Sequence, residues 1–162
     1  MQNVPRLDSA RVIPLPPRGG TTVRRPWLDT ERDREFVGML RDFRETGGLL
    51  RGDEVAALLA QRGTGDVSRL ARWLVSREAL GFDWRGELWV PMFQFHLGAM
   101  TLRPEAAEVS AELAAVFDPW ALSLWFATPN AWLDEVRPAE ALAFDAAAVR
   151  DAARADRFAV NG

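Results

Sequence analysis

The 162-residue chain contains no cysteine, no tyrosine and no lysine, and it has a single histidine. Without cysteine, the chain can form neither a disulfide framework nor a thiolate nucleophile. Without lysine, it has no Schiff-base chemistry. The lone histidine, His96, excludes the usual zinc sites, which need several histidine or cysteine ligands. These absences remove several classes of enzyme and metalloprotein.

Motifs that carry catalysis are equally scarce. The sequence has no Gly-x-Ser-x-Gly elbow, no phosphate-binding loop and no dinucleotide fingerprint. Glu105, Glu108 and Glu112 recur along one helix face, a pattern typical of a solvated surface. We therefore predict a protein that is not an enzyme and that uses neither a cofactor nor a metal, with His96 structural or exposed.

Long apolar runs are also missing. None approaches the roughly 18 residues that span a bilayer, and residues 1–20 contain no apolar stretch of the secretory kind. These features predict a soluble cytoplasmic protein with no membrane partner. Charge is uneven: residues 1–78 contain 14 arginines and 11 acidic residues, whereas residues 79–162 contain 6 and 12. A basic half favours a polyanion and an acidic half a basic partner.

The pattern divides the chain into three predicted parts. Residues 1–26 are rich in proline, glycine and arginine, which predicts a disordered arm. Residues 27–100 form a helix-turn-helix-like DNA-binding region with a β-hairpin. Residues 101–162 form a helical domain, which makes the expected fold mainly α.

Two short helices in the middle part predict the helix-turn-helix. Residues 54–60 form the first, Gly63-Thr64-Gly65 makes the turn, and Asp66 caps the second over residues 67–78. Val67, Leu70 and Leu74 are expected to face inward. The hairpin follows at residues 82–91, turning near Arg85 and ending at Pro91, and is similar to the wing of winged-helix domains. The predicted DNA contacts are Ser68, Arg69, Arg72, Arg77 and Arg85.

Prolines and caps mark the helices of the last part. Pro104 and Pro119 fit first helical turns. Asn130 can cap a short turn, and Asp145 can cap a final helix over roughly residues 146–156. Residues 157–162 are then expected to form a tail.

This last part resembles a known family. The segment from Trp125 to Leu133, which reads Trp-Phe-Ala-Thr-Pro-Asn-Ala-Trp-Leu, and the following Arg137-Pro138 are similar to the toxin-binding domain of Xre/MbcA/ParS-type antitoxins. The region upstream is similar to the small DNA-binding unit that precedes this domain in many members. Together the resemblance covers residues 50–160. One departure is the turn at residues 134–136, which reads Asp-Glu-Val where the family usually has glycine.

The resemblance implies a partner and a mode of action. The partner would be a RES-type toxin that consumes NAD, and the antitoxin would cover the entrance to its active site with residues near its own C-terminus. A tail ending in Phe158 could plug the pocket while arginines pair with acidic groups around it. The toxin-binding residues predicted on this basis are Asn130, Trp132, Leu133, Arg137, Pro138, Arg154, Arg157 and Phe158.

DNA binding would serve to repress the protein's own operon. Reading a palindromic operator needs two dyad-related helix units, so a homodimer or larger oligomer is expected. Two alternatives stay open at this point. One is a stand-alone DNA-binding transcriptional regulator without a toxin, and the other is an oligomeric protein-interaction adaptor without DNA binding.

Overall fold

The computed structural model describes residues 31–162, and this part of the chain folds into seven α-helices and five short strands. The helices are α1 (Glu31–Asp42), α2 (Gly52–Arg62), α3 (Val67–Val75), α4 (Pro104–Leu113), α5 (Pro119–Ala127), α6 (Pro138–Ala141) and α7 (Ala146–Asn161). The strands are β1 (Leu49–Arg51), β2 (Phe82–Trp84), β3 (Glu87–Pro91), β4 (Phe95–His96) and β5 (Thr101–Leu102). The described part is therefore mainly helical with small antiparallel sheets, as predicted. The predicted arm, residues 1–26, lies outside it.

The expected hairpin is present. Strands β2 and β3 pair antiparallel, with Trp84 opposite Glu87, which leaves a two-residue turn of Arg85 and Gly86. Both turn residues have a positive φ, 54° and 80°, as a type I′ turn requires. Pro91 is the last residue of β3, the position where a missing N–H does least harm to a strand.

Strand β1 was not predicted. It pairs antiparallel with β3, so β3 is the central strand and the order in the sheet is β1-β3-β2. The strand is only three residues long and runs directly into α2. Such a short run has no periodicity that would distinguish it from a loop. We call residues 49–91, which comprise β1, α2, α3 and the hairpin, the helix-pair unit.

Both helices of this unit are present, but their bounds differ from the prediction: α2 covers residues 52–62 rather than 54–60, and α3 ends at Val75 rather than at residue 78. Gly63 ends α2 with a φ of 67°, and the Asp66 side chain accepts a hydrogen bond from the Arg69 backbone N–H at the start of α3. Leu70 is buried, but Val67 is 66% exposed, so its predicted inward orientation is wrong. Val67 shares an outer face with Val75, eight residues on and 85% exposed.

Two hydrophobic clusters hold the described residues together. The larger contains residues of α1, the hairpin and α4–α7, with Phe93 packed against Phe126 at 4.4 Å between ring centroids. The smaller lies beneath α2 and α3 and includes Leu59 and Val90. The larger cluster draws on residues from both sides of position 100. The division there into two domains stays a prediction.

The final helix is longer than expected. Asp145 caps it as predicted, accepting a hydrogen bond from the Ala148 backbone N–H at 3.0 Å. The helix continues to Asn161, however, so the prediction of a tail at residues 157–162 is wrong. Near its end, Arg157 forms an ion pair with Glu112 of α4 at 2.8 Å, a contact between distant residues that the sequence does not reveal. This pair anchors the last turns of α7 against α4.

Candidate partner-binding site

Asp156 of α7 is the centre of a hydrogen-bond network that sequence reasoning missed. Its carboxylate accepts from the Trp125 indole N–H at 2.7 Å, the Asn130 side-chain amide at 2.8 Å and the Trp132 indole N–H at 3.1 Å. Hydrogen bonds to an ionised acceptor are stronger than neutral ones. The network therefore ties α5, the 3-10 turn at Ala131–Leu133 and α7 to one another.

The most distinctive member of this network is Trp132. Its side chain is 67% exposed although its indole N–H is bonded to Asp156. Its backbone N–H donates to the Asn130 side-chain oxygen at 2.9 Å, so the residue is held at two points. A tryptophan with a satisfied N–H and an exposed ring presents flat apolar surface in a fixed orientation, which is typical of interface anchors.

The turn after Trp132, at Asp134 and Glu135, has a backbone conformation that glycine adopts more easily than other residues. Asp134 and Glu135 have φ values of 53° and 64°, the left-handed region that side chains with a Cβ disfavour. The turn is closed by a bridge between Asn130 and Val136. In this chain two exposed acidic residues thus adopt a strained backbone beside the exposed tryptophan.

Three of the predicted contact residues are buried. Leu133 lies in the larger core cluster, Pro138 is buried at the start of α6, and Asn130 is only 8% exposed. Their predicted direct contact with a partner does not fit this arrangement, because their surface is already covered by the chain itself. Of the three, Asn130 supports Trp132, because its side-chain oxygen accepts a hydrogen bond from the Trp132 backbone N–H.

Arg137 is likewise occupied within the chain. Its guanidinium donates to the Ala127 carbonyl at 3.0 Å, to Glu140 at 3.2 Å and to Asp42 at 3.4 Å. It thereby joins α1, α5 and α6. The side-chain hydrogen bond and the charge of Asp42 also raise the pKa of the neighbouring Arg41. Arg137 thus contributes to the scaffold behind the site.

The end of α7 combines tethered arginines with exposed apolar residues. Arg154 and Arg157 both face Glu112, at 4.0 and 2.8 Å. Phe158 is 79% exposed and Val160 is 57% exposed. Val160 comes four residues after Asp156 and so lies on the side of α7 that carries Trp132, whereas Phe158 follows Arg154 by the same interval. We call residues 157–161 the α7 tip.

The predicted DNA contacts on α3 divide into free and occupied residues. Ser68 and Arg72 are exposed on the outer face of α3, and Arg77 is exposed beyond its end. Arg72 and Arg77 form no ion pair or side-chain hydrogen bond with any other residue between 31 and 162. Arg69, by contrast, donates to the Thr64 carbonyl.

The Arg85 side chain, at the tip of the hairpin, also has partners within the chain. It forms an ion pair with the buried Asp33 of α1 at 2.9 Å and lies 4.8 Å from the centroid of the Trp84 ring. Trp84 donates to the same carboxylate at 3.3 Å. Since Asp33 is 51 residues away from Trp84 along the chain, no local pattern predicts the contact. Arg85, which the sequence predicts to contact DNA, therefore links the hairpin to α1.

His96 is exposed at the end of β4, opposite Thr101 of β5. Within residues 31–162 no group of three histidine, aspartate or glutamate side chains is placed to hold a metal ion. No helix of the same region has both the length and the apolar character needed to cross a membrane.

Comparisons with known proteins identify no relative: no protein-family model, no curated protein and no solved structure matches the chain.

Proposed function

We propose that the protein is an antitoxin-like binding protein that captures a RES-type, NAD-consuming toxin through Trp132 and the α7 tip. The observation that carries this proposal is the exposure of Trp132 combined with its fixation by Asp156. A large aromatic side chain held rigidly in solvent loses little conformational entropy when a partner covers it. The resemblance of the segment around Trp132 to antitoxin toxin-binding domains supports the choice of partner.

In this proposal the α7 tip covers the entrance to the toxin's active site as a helix end. Phe158 supplies the apolar contact. A helix already formed before binding needs less ordering than a tail, so its contacts yield more affinity. Arg154 and Arg157 pair with Glu112 in the free chain and position the tip, rather than serving first as contacts.

The test is coexpression of the full chain with a tagged RES-domain protein encoded beside it. Measurements are capture of the complex, cellular NAD and growth. We expect Trp132→Ala to weaken binding by about 2 kcal/mol or more, roughly 30-fold, because the anchor ring is lost. Phe144→Ala is the matched control, since Phe144 is 73% exposed but precedes α7 at its opposite end.

The paired variants make the outcome decisive. Loss of capture and rescue in Trp132→Ala but not in Phe144→Ala supports the proposal. Undiminished rescue by Trp132→Ala contradicts it. Equal loss in both variants would also contradict it, because binding would then depend on general surface hydrophobicity.

Binding to operator DNA is a second candidate function, favoured by the order of elements in the first half. Helix, strand, two helices joined by a short turn, and a hairpin succeed one another from α1 to β3. This is the order found in winged-helix domains, in which the second helix of the helix-turn-helix pair enters the major groove; here that helix is α3. Ser68 and Arg72 on α3 are exposed and available for such a contact.

Gel shift and anisotropy with operon-upstream and random duplexes test this second function. A dimer that reads a palindrome should prefer the operon sequence, with half-sites about one DNA turn apart. Binding to the operator without any toxin partner would favour the stand-alone regulator. Binding to neither duplex, together with self-association, would favour the adaptor.

A further inference from the structure

A groove separates the helix-pair unit from the C-terminal helices. It lies between the residues that follow α3 and helices α4 and α5, and its volume is about 530 Å³. Its walls are mainly apolar; they include Leu74, Leu80, Leu88, Ala111, Phe117 and Leu122. Pockets of 300–1,000 Å³ lined in this way are the usual size and character of sites for small molecules.

Arg77 gives the groove its charge. It is the only ionisable residue among those lining this groove, and it has no ion-pair partner within residues 31–162. Its φ of 60° places it in the left-handed region, which is uncommon for a residue with a Cβ. Strained positions of this kind occur frequently at binding sites. Ser76 and Ser110 supply the other polar side chains of the lining.

We propose that this groove binds an amphipathic carboxylate, with an aliphatic chain along the apolar walls and the carboxylate paired with Arg77. An arginine fork matches a carboxylate with two parallel hydrogen bonds. A single arginine balances one negative charge, so a monoanion fits better than a phosphate ester with two. The proposal is independent of toxin binding, because the groove includes neither Trp132 nor the α7 tip.

The test measures thermal unfolding of the full chain with hexanoate, octanoate and decanoate, each below its micelle-forming concentration, and with the matching alcohols. A ligand that binds only the folded state raises the midpoint, and at a fixed ligand concentration the stabilisation grows with the logarithm of its affinity. We expect affinity to rise about fourfold for each methylene that enters the groove. Each carboxylate should bind roughly tenfold more tightly than its alcohol, because only the carboxylate pairs with Arg77.

Substitutions then distinguish the contribution of the Arg77 charge to binding from that of the apolar walls. Arg77→Gly suits the left-handed backbone, so the chain should fold at least as well while the advantage of carboxylate over alcohol disappears. Arg77→Lys should retain most of that advantage. Ala111→Trp, at an exposed lining position, should fill the groove and abolish the binding of both ligand series.

Several results would overturn the proposal. Equal affinity for carboxylates and alcohols would remove the role of Arg77. Unchanged binding in Ala111→Trp would place the ligand elsewhere. If no ligand of either series shifts the midpoint, the proposal is wrong; a midpoint that also rises with protein concentration would then indicate self-association instead.

Discussion

The helix-pair unit and the C-terminal helices both contain arginines that the sequence predicts to meet a partner, but they differ in what they leave exposed. In the helix-pair unit Arg72 and Arg77 are free within the described residues. In the C-terminal helices the predicted arginines are paired internally, with Glu112 holding both Arg154 and Arg157. Among residues 31–162, the large exposed aromatics are Trp132, Phe144 and Phe158, and all three belong to the C-terminal part.

Contacts within the chain, rather than residue counts, decide which charged and apolar groups are available to a partner. A guanidinium can be satisfied by a carbonyl or carboxylate far away in sequence, so a count of arginines overestimates the charge available to a ligand. An indole N–H can also be satisfied while its ring stays in solvent. Within residues 31–162, the helix-pair unit thus exposes unpaired arginines beside Val67 and Val75, whereas the C-terminal helices expose aromatic rings, and this contrast is the basis for proposing a polyanion as partner of the first and a protein as partner of the second.

The largest expected effect tests whether the two regions share one core. Phe126→Ala removes a fully buried ring that contacts Phe93 and should reduce the free energy of unfolding by about 3–5 kcal/mol. Because the larger cluster joins α1, the hairpin and α4–α7, far-UV circular dichroism and tryptophan fluorescence should report the same urea midpoint.

Leu59→Ala, in the smaller cluster, is the comparison variant and should cost about 2–5 kcal/mol. If the two regions form one cooperative unit, circular dichroism and tryptophan fluorescence should report the same urea midpoint for Leu59→Ala as well. Separate midpoints in either variant would show that the helix-pair unit unfolds by itself. The helix-pair unit and the C-terminal helices would then be independent domains.

A smaller effect is expected at Asp156. Asp156→Ala leaves the N–H groups of Trp125, Asn130 and Trp132 without their acceptor and should cost about 2 kcal/mol in urea unfolding. It should also weaken toxin capture, since Trp132 is no longer oriented. Asp151→Ala is the control on the same helix, because Asp151 is exposed and, within residues 31–162, its only ion pair is with Arg154. Equal costs for the two variants would mean that the network contributes nothing beyond a surface ion pair.

For DNA binding the expected change is smaller and is confined to the salt dependence of the affinity. If Arg72 contacts a phosphate, Arg72→Ala should reduce the log–log salt slope of binding by about 0.9. Arg69→Ala should leave the slope unchanged, because the Arg69 guanidinium is already bonded to the Thr64 carbonyl. Fluorescence anisotropy at several salt concentrations measures both. If instead Arg69→Ala reduced the slope and Arg72→Ala did not, the hydrogen bond between Arg69 and the Thr64 carbonyl would have to open when DNA binds.

Local signals in the sequence were sufficient for many elements and insufficient for the site. Caps at Asp66 and Asp145 and the turn at Arg85-Gly86 depend on neighbouring residues, and the structure confirms them. The Asp156 network and the Arg157–Glu112 pair join residues 24 to 45 positions apart, so no spacing rule could reveal them. Trp132 was predicted as a site residue through a resemblance, whereas its support by Asp156 was not.

The smallest effect concerns the turn that follows Trp132. Glu135→Gly removes a side chain from a left-handed position, which should gain about 1–2 kcal/mol, while the greater freedom of glycine in the unfolded chain offsets about 0.5–1 kcal/mol. We expect a net stabilisation of about 0.5 kcal/mol in urea unfolding. The backbone hydrogen bond from Glu135 N–H to the Asn130 carbonyl should persist, so Trp132 stays in place and toxin capture stays unchanged. Stabilisation accompanied by weaker capture would instead make the Glu135 carboxylate part of the contact surface.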